Sequence, residues 1–184
     1  MADMTQLQEQ MDALRKELQQ VKSSGQEDKM SMVLFSGDLD KALAAFIIAT
    51  GSVAMGMEAV IFLTFWGTPL FRKPDKTVTG KDLMGTMFGW MLPKGARKAT
   101  LSKMNMGGMG TVMLKDLMKK KNVASLDQMI DMAGQLGVKV YICEMSMDLM
   151  GFKREEMIDY PDLSYAGVAT FLAEAKNSKV QLFL

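Results

Sequence analysis

Residues 42–71 carry a single charge, Glu58. A run of that length and character is long enough to span a bilayer as one helix. Otherwise it must be divided between elements buried within a protein core. Gly51, Gly56 and Glu58 favour division, because they separate a helix-length part from a strand-length part. Leu39 to about Met55, almost continuously apolar, reads as a buried helix, with Asp38 a candidate N-cap. Ala59 to Phe65, rich in β-branched and aromatic residues, reads as a strand. Upstream, Ser31 to Phe35 reads as another strand, ending at Ser36-Gly37-Asp38. The order β-α-β implies two parallel strands joined by a right-handed crossover. A membrane-associated chain is the alternative.

The remaining segments extend this pattern. Trp66 to Thr100 contains Pro69, Pro74, Pro93 and several glycines, with a helix expected over Lys81 to Met91. Phe88, Trp90, Met91 and Leu92 in and beside that helix need cover from a partner or an interface. Asn105 to Thr111 is a glycine-rich loop leading into a helix through Lys121. Ser125 is an expected N-cap for a helix over Leu126 to Leu136, closed by Gly137. Val138 to Cys143 reads as a third, central strand, followed by a short helical turn and a charged helical segment. A helix from Ser164 to about Lys176 and a strand over Val180 to Leu184 complete the chain. The predicted class is α/β, a mostly parallel sheet of about four to five strands with helices on both faces.

Ahead of this domain, placed at residues 29–184, Met4, Leu7, Met11, Leu14, Leu18 and Val21 recur three and four residues apart among polar neighbours. This is the a/d seam of an amphipathic, coiled-coil-like helix within residues 1–25, and Ser23-Ser24-Gly25 ends it. So short a helix needs a partner surface, and self-association is the favoured one.

Composition narrows the chemistry. There is no histidine and only one cysteine, so imidazole-based triads and the usual structural zinc sites are excluded. The acidic residues do not fall at a recognisable ligand spacing, and no metal or cofactor is expected. A net charge of +1 argues against general nucleic-acid binding, which needs a large basic excess. The beginning, Met1-Ala2-Asp3-Met4, lacks the basic and apolar regions of a secretory signal. A lone thiol suits a reducing compartment, so a cytoplasmic location is expected.

Cys143 is the candidate reactive group. It ends a strand, and open α/β sheets place their ligand sites at such carboxyl ends. The turn Met145 to Gly151 follows, with Ser146 a candidate cap. A thiol at the amino end of a helix has its thiolate stabilised by free N–H groups and the helix dipole, without histidine. Glu144 and Asp148 oppose this through their charge. The other reading is a buried cysteine acting as a small hydrophobe, and position alone leaves both open.

Gly107, Gly108 and Gly110 can be read as a tight turn, or as a cradle whose N–H groups face a small anion such as thiosulfate or a persulfide. Met145 and Ser146 join them as candidate anion-binding residues. Met113 stands where a dinucleotide fingerprint wants its third glycine. Residues 72–121 hold twelve basic and three acidic side chains, against five and nine in each flank. This is a steering surface for anions or, more plainly, a solvated face pairing with the acidic flanks. Met104, Met106, Met109, Met113, Met118, Met145, Met147 and Met150 fall at helix spacing or near the cysteine. Thioethers can hold copper(I), but adaptable core filling is the favoured reading.

The run Lys103 to Thr111, the segment Lys119 to Val123, and Cys143 to Gly151 resemble the DsrE/DsrF-like sulfur-relay family. Phe62 to Gly67 and Gly167 to Thr170 fit as well, so the likeness covers about residues 30–184. The resemblance implies a small α/β domain that assembles as a trimer or hexamer. It also implies a sulfurtransferase or sulfur carrier that holds sulfur on cysteine as a persulfide or related adduct. That role falls on Cys143 alone. Without a second cysteine, both the sulfur donor and the thiol acceptor must be other molecules. The rival expectation is a non-catalytic oligomeric adaptor with Cys143 buried.

Overall fold

The computed structural model describes residues 6, 8–17, 25–76 and 83–184. Residues 8–17 (α1) are helical, and Met11 and Leu14 on them are exposed. The other seam residues, Met4, Leu7, Leu18 and Val21, lie outside the described residues, as do 81–82 of the helix expected from Lys81.

Five strands form one sheet: β1 (Glu27–Leu34), β2 (Glu58–Leu63), β3 (Lys139–Cys143), β4 (Leu163–Ala166) and β5 (Ser178–Phe183). Their order is β4-β3-β2-β1-β5, and every neighbouring pair is parallel. The nearly uncharged stretch divides as its glycines indicate. Its first part lies in α2 (Leu39–Ala54) and its second in β2, with 3-10 turns over Phe65–Phe71. Gly56 adopts φ 83°, the left-handed conformation that favours glycine, where the chain turns from helix to strand. No helix among the described residues is long and apolar enough to cross a membrane.

Further helices are α3 (Leu83–Met91), α4 (Met109–Lys120), α5 (Leu126–Gln135), α6 (Glu144–Leu149) and α7 (Val168–Lys176). α5 opens with the expected cap. Ser125 Oγ accepts the Gln128 N–H, and the Gln128 side chain accepts the Ser125 N–H in return. Asp38 occupies the N-cap position of α2, but its carboxylate accepts from the Ser36 hydroxyl and pairs with Lys41 rather than capping.

Side-chain alternation divides the sheet into two faces. Met30, Met32, Leu34, Ile61, Leu63, Val140 and Ile142 join the main core with Phe46 of α2 and Ile130 of α5. Val33, Phe62, Tyr141 and Cys143 form a smaller cluster with Phe171 and Ala175 of α7. Helices therefore cover both faces, but α2 and α5 share the first while α7 packs on the second.

Three expectations are corrected. Ser164 does not start a helix: Leu163–Ala166 is β4, and Gly167 is the N-cap of α7. Ser164 and Tyr165 favour pairing with Tyr141 and Ile142, so the small cap residue Gly167 marks the true start. The charged segment after Gly151 is mainly irregular, with one 3-10 turn over Arg154–Glu156. Finally, β3 is an inner strand, but β2 is the middle of five.

Candidate functional site

Cys143 is the last residue of β3 and the N-cap of α6. It is paired in register with Ala166, the last residue of β4, and α7 starts one residue beyond its Gly167 cap. The cysteine thus sits at the carboxyl edge of the sheet beside the starts of two helices. Neither helix has a side-chain cap bond at its start. Cys143 is 4% exposed and lies in a buried cluster with Phe62 and with Phe171 and Ala175 of α7. The Phe62 and Phe171 rings stack at 5.1 Å between centroids. α7 is thus the helix on the Cys143 face of the sheet.

Ser146 is not a cap. It is fully buried in α6, where its hydroxyl accepts the Phe65 N–H (3.0 Å) and shares a hydrogen bond with the Thr64 hydroxyl (2.9 Å). These bonds fix the turn after Cys143 to the end of β2. Phe65 has φ 44°, a left-handed conformation costly for an aromatic residue, and its ring packs at 5.3 Å on Phe35. The chain can fold back here because Gly67 lies against β1. A Cβ on Gly67 would stand 2.2 Å from the Leu34 carbonyl oxygen. Glu144, the nearest carboxylate in sequence, is ion-paired with Arg154.

Several exposed apolar side chains surround this edge. Trp66 follows β2, Met145 follows Cys143, Val168 opens α7 and Phe183 ends β5. The methionines are thus not uniformly core filler. Met147 and Met150 are buried, whereas Met104, Met106, Met109, Met113 and Met145 are exposed. Trp90 and Met91 of α3 are likewise exposed, while Leu92 packs on the core.

The glycine-rich loop is built as a turn. Gly107 and Gly108 adopt φ 68° and 103°, and the N–H groups of Gly108 and Gly110 both donate to the Asn105 carbonyl. A Cβ on Gly110 would stand 1.9 Å from the Met104 carbonyl oxygen, so the close approach requires glycine. The Thr111 hydroxyl donates to Asn105 Oδ1 (2.7 Å) and accepts the Leu101 N–H (2.9 Å), closing the loop on itself. The side chains clustered with Cys143 come from β1, β2, β3 and α7, none of them from this loop.

The basic middle of the chain pairs with the acidic flank. Arg72 meets Glu156 (3.2 Å, both buried), Lys73 meets Asp159 (3.0 Å) and Arg97 pairs with Asp127. Lys115 donates to the Arg97 and Ala99 carbonyls, and burial holds its ammonium below the ordinary lysine range.

Sequence reasoning missed one cluster on the face that carries Cys143. Lys29 of β1 is buried and donates to Glu174 of α7 (2.9 Å), with Glu27 at 2.5 Å and Glu58 at 3.9 Å. The Tyr141 hydroxyl donates to the other Glu174 oxygen (3.0 Å). Hydrogen bonding to Glu27 and Glu174 raises Lys29 well above the ordinary lysine range. The Lys29 bond, helped by Tyr141, lowers the Glu174 carboxyl. Burial and the Glu174 contact raise Tyr141. The signal in the sequence was a lysine inside an apolar strand and a glutamate three residues after Phe171, on the inner side of a helix.

Residues 26–183 match the model of the DsrE/DsrF/DrsH-like family. The chain belongs to this family. Among its relatives, an uncharacterized protein, YrkE, of Bacillus subtilis (strain 168) is 49% identical over 159 residues, covering 86% of this chain and 98% of that one. The sulfur carrier protein DsrE2 of Allochromatium vinosum is 32% identical over 160 residues, covering 86% of this chain and 99% of its own. The parallel α/β sheet expected of a family member is the sheet found here.

Proposed function

We propose that this chain is a sulfur carrier in a cytoplasmic sulfur relay, and that Cys143 holds the sulfur. Membership of the DsrE/DsrF/DrsH-like family and the likeness to a sulfur carrier support the relay role. The observation that carries the assignment is the place of Cys143, at the carboxyl edge of β3 between the starts of α6 and α7. Open parallel α/β sheets place their ligand sites at such carboxyl ends.

In loading, the Cys143 thiolate attacks the terminal sulfur of a donor persulfide. A bond from Cys143 Sγ to that sulfur forms, the donor's S–S bond breaks, and the donor leaves as a thiolate. In unloading, an external thiolate attacks the terminal sulfur of the Cys143 persulfide, and Cys143 leaves as the thiolate. Each step exchanges one S–S bond for another, so no oxidant or reductant is consumed. The chain has one cysteine, so the acceptor is a second molecule. The carrier is a homo-oligomer, and the exposed apolar residues of α1 and of the carboxyl edge are the surfaces available for assembly.

Loading is tested by incubating the folded chain with polysulfide and weighing it. The native chain gains the mass of sulfur on Cys143, and Cys143→Ser gains none. Equal gain by the variant removes Cys143 from the mechanism. The burial of Cys143, 4% exposed, favours a second reading, an adaptor with a structural cysteine. Alkylation of the folded chain separates the two, since a structural cysteine stays unmodified until the chain unfolds.

A further inference from the structure

The thiol is covered by α7, and polar contacts at the far end of α7 hold that helix down. Phe171 and Ala175 belong to the buried cluster that includes Cys143, and between them in sequence Glu174 reaches the sheet. Its two oxygens are engaged separately, one by the Lys29 ammonium of β1 (2.9 Å) and one by the Tyr141 hydroxyl of β3 (3.0 Å). Tyr141 lies two residues before Cys143 on the same strand face. The Ser178 hydroxyl adds a bond to the Glu174 carbonyl (2.9 Å) and one to Ser31 (2.5 Å), and the Gln181 amide donates to the Ala175 carbonyl (2.7 Å).

The amino-terminal turn of α7 is anchored differently. Val168, Ala169 and Thr170 are exposed, Gly167 gives no side-chain cap, and a Cβ there would meet nothing within 4 Å. Among the described residues, Phe171 stacks on Phe62, and the side-chain hydrogen bonds between α7 and the sheet fall in the helix's second half. Unequal anchoring of this kind makes local opening easier at one end of an element than at the other.

We propose that Glu174 is a positioning residue: clamped by Lys29 and Tyr141, it fixes α7 over Cys143 and so sets how often the thiol is open to a sulfur donor or acceptor. The proposal rests on the carrier reading for its purpose, but its test reads exposure and not sulfur transfer. A chain that never loads sulfur would leave the latch itself intact.

The experiment follows alkylation of Cys143 by iodoacetamide in the folded, full-length chain, with urea midpoints and amide exchange measured on the same samples. Glu174→Gln keeps the size of the side chain and removes its charge. It is expected to speed alkylation by roughly tenfold, the scale of one weakened charge-assisted hydrogen bond. Exchange should rise in α7 while β1 and β2 stay protected. Tyr141→Phe should speed alkylation less, and the double variant should fall short of the product of the two single effects, because both act through one carboxylate. An unchanged rate in Glu174→Gln overturns the proposal. So does a faster rate matched by equal loss of protection across β1 and β2, which is global unfolding. Should Glu174→Gln fail to fold, Tyr141→Phe decides alone: faster alkylation with a protected sheet supports the latch, and an unchanged rate overturns it.

Discussion

A lysine within a strand is expensive unless its charge is matched, and Lys29 is matched by Glu174 and Glu27, with Glu58 slightly farther away. The pH behaviour follows from the direction of each shift. The Glu174 carboxyl is lowered in the folded chain, chiefly by the Lys29 hydrogen bond. Its contribution is therefore fully present above the unfolded value of about 4.3 and is lost as pH falls through the lower folded value. Lys29 is raised, so its contribution is present below about 10.4 and is lost as pH rises through its folded value. Glu27, Glu58, Lys139 and Tyr141 face the same pair and share its field. Urea midpoints should fall more steeply below pH ~4 in the native chain than in Glu174→Gln, which has no carboxylate to protonate there. Parallel curves would show that the carboxylate adds nothing to stability. The pairings with Glu174 and Glu58 were not legible from sequence, because each joins residues far apart in the chain. Ser146 is a related case. A serine just after Cys143 looked like a cap, but the end of β2 supplied Phe65 N–H and the Thr64 hydroxyl as partners.

Among the elements, legibility tracked local causes. α2, α5 and β2 were readable because burial, capping residues and glycines are recorded in adjacent positions, as with Ser125 and Gln128. β4 was not readable. Its four residues are too few to show alternation, and their pairing partners in β3 lie more than twenty residues upstream. The glycine-rich loop shows its turn chemistry in sequence, while the buried cluster that holds Cys143 draws its side chains from other elements. α1 carries its own prediction. A helix whose Met11 and Leu14 are both exposed gains little from folding alone. Removing residues 1–25 should lower the sedimentation coefficient by more than the lost mass accounts for, if the seam joins copies of the chain. An unchanged assembly state would show that the seam does not join copies of the chain.

In the whole molecule, a sheet of five parallel strands brings the ends of all its strands to one edge, and Cys143 is there together with the starts of α6 and α7. The sequence pattern allowed that edge to be anticipated from strand order alone. It did not reveal that Cys143 shares a buried cluster with α7, because Phe171 and Ala175 join that cluster from a distant part of the chain. On the proposed carrier reading, the sulfur is protected between partners and the cover must open for exchange. The most direct measurement is a single-turnover transfer. The native chain is loaded with labelled sulfane sulfur, freed of donor, and mixed with an external thiol. The account predicts at most one labelled sulfur per chain, bound at Cys143, leaving as the persulfide of the acceptor, and none carried by Cys143→Ser. Label held equally by the variant, or label on Cys143 that no thiol can remove, would contradict it.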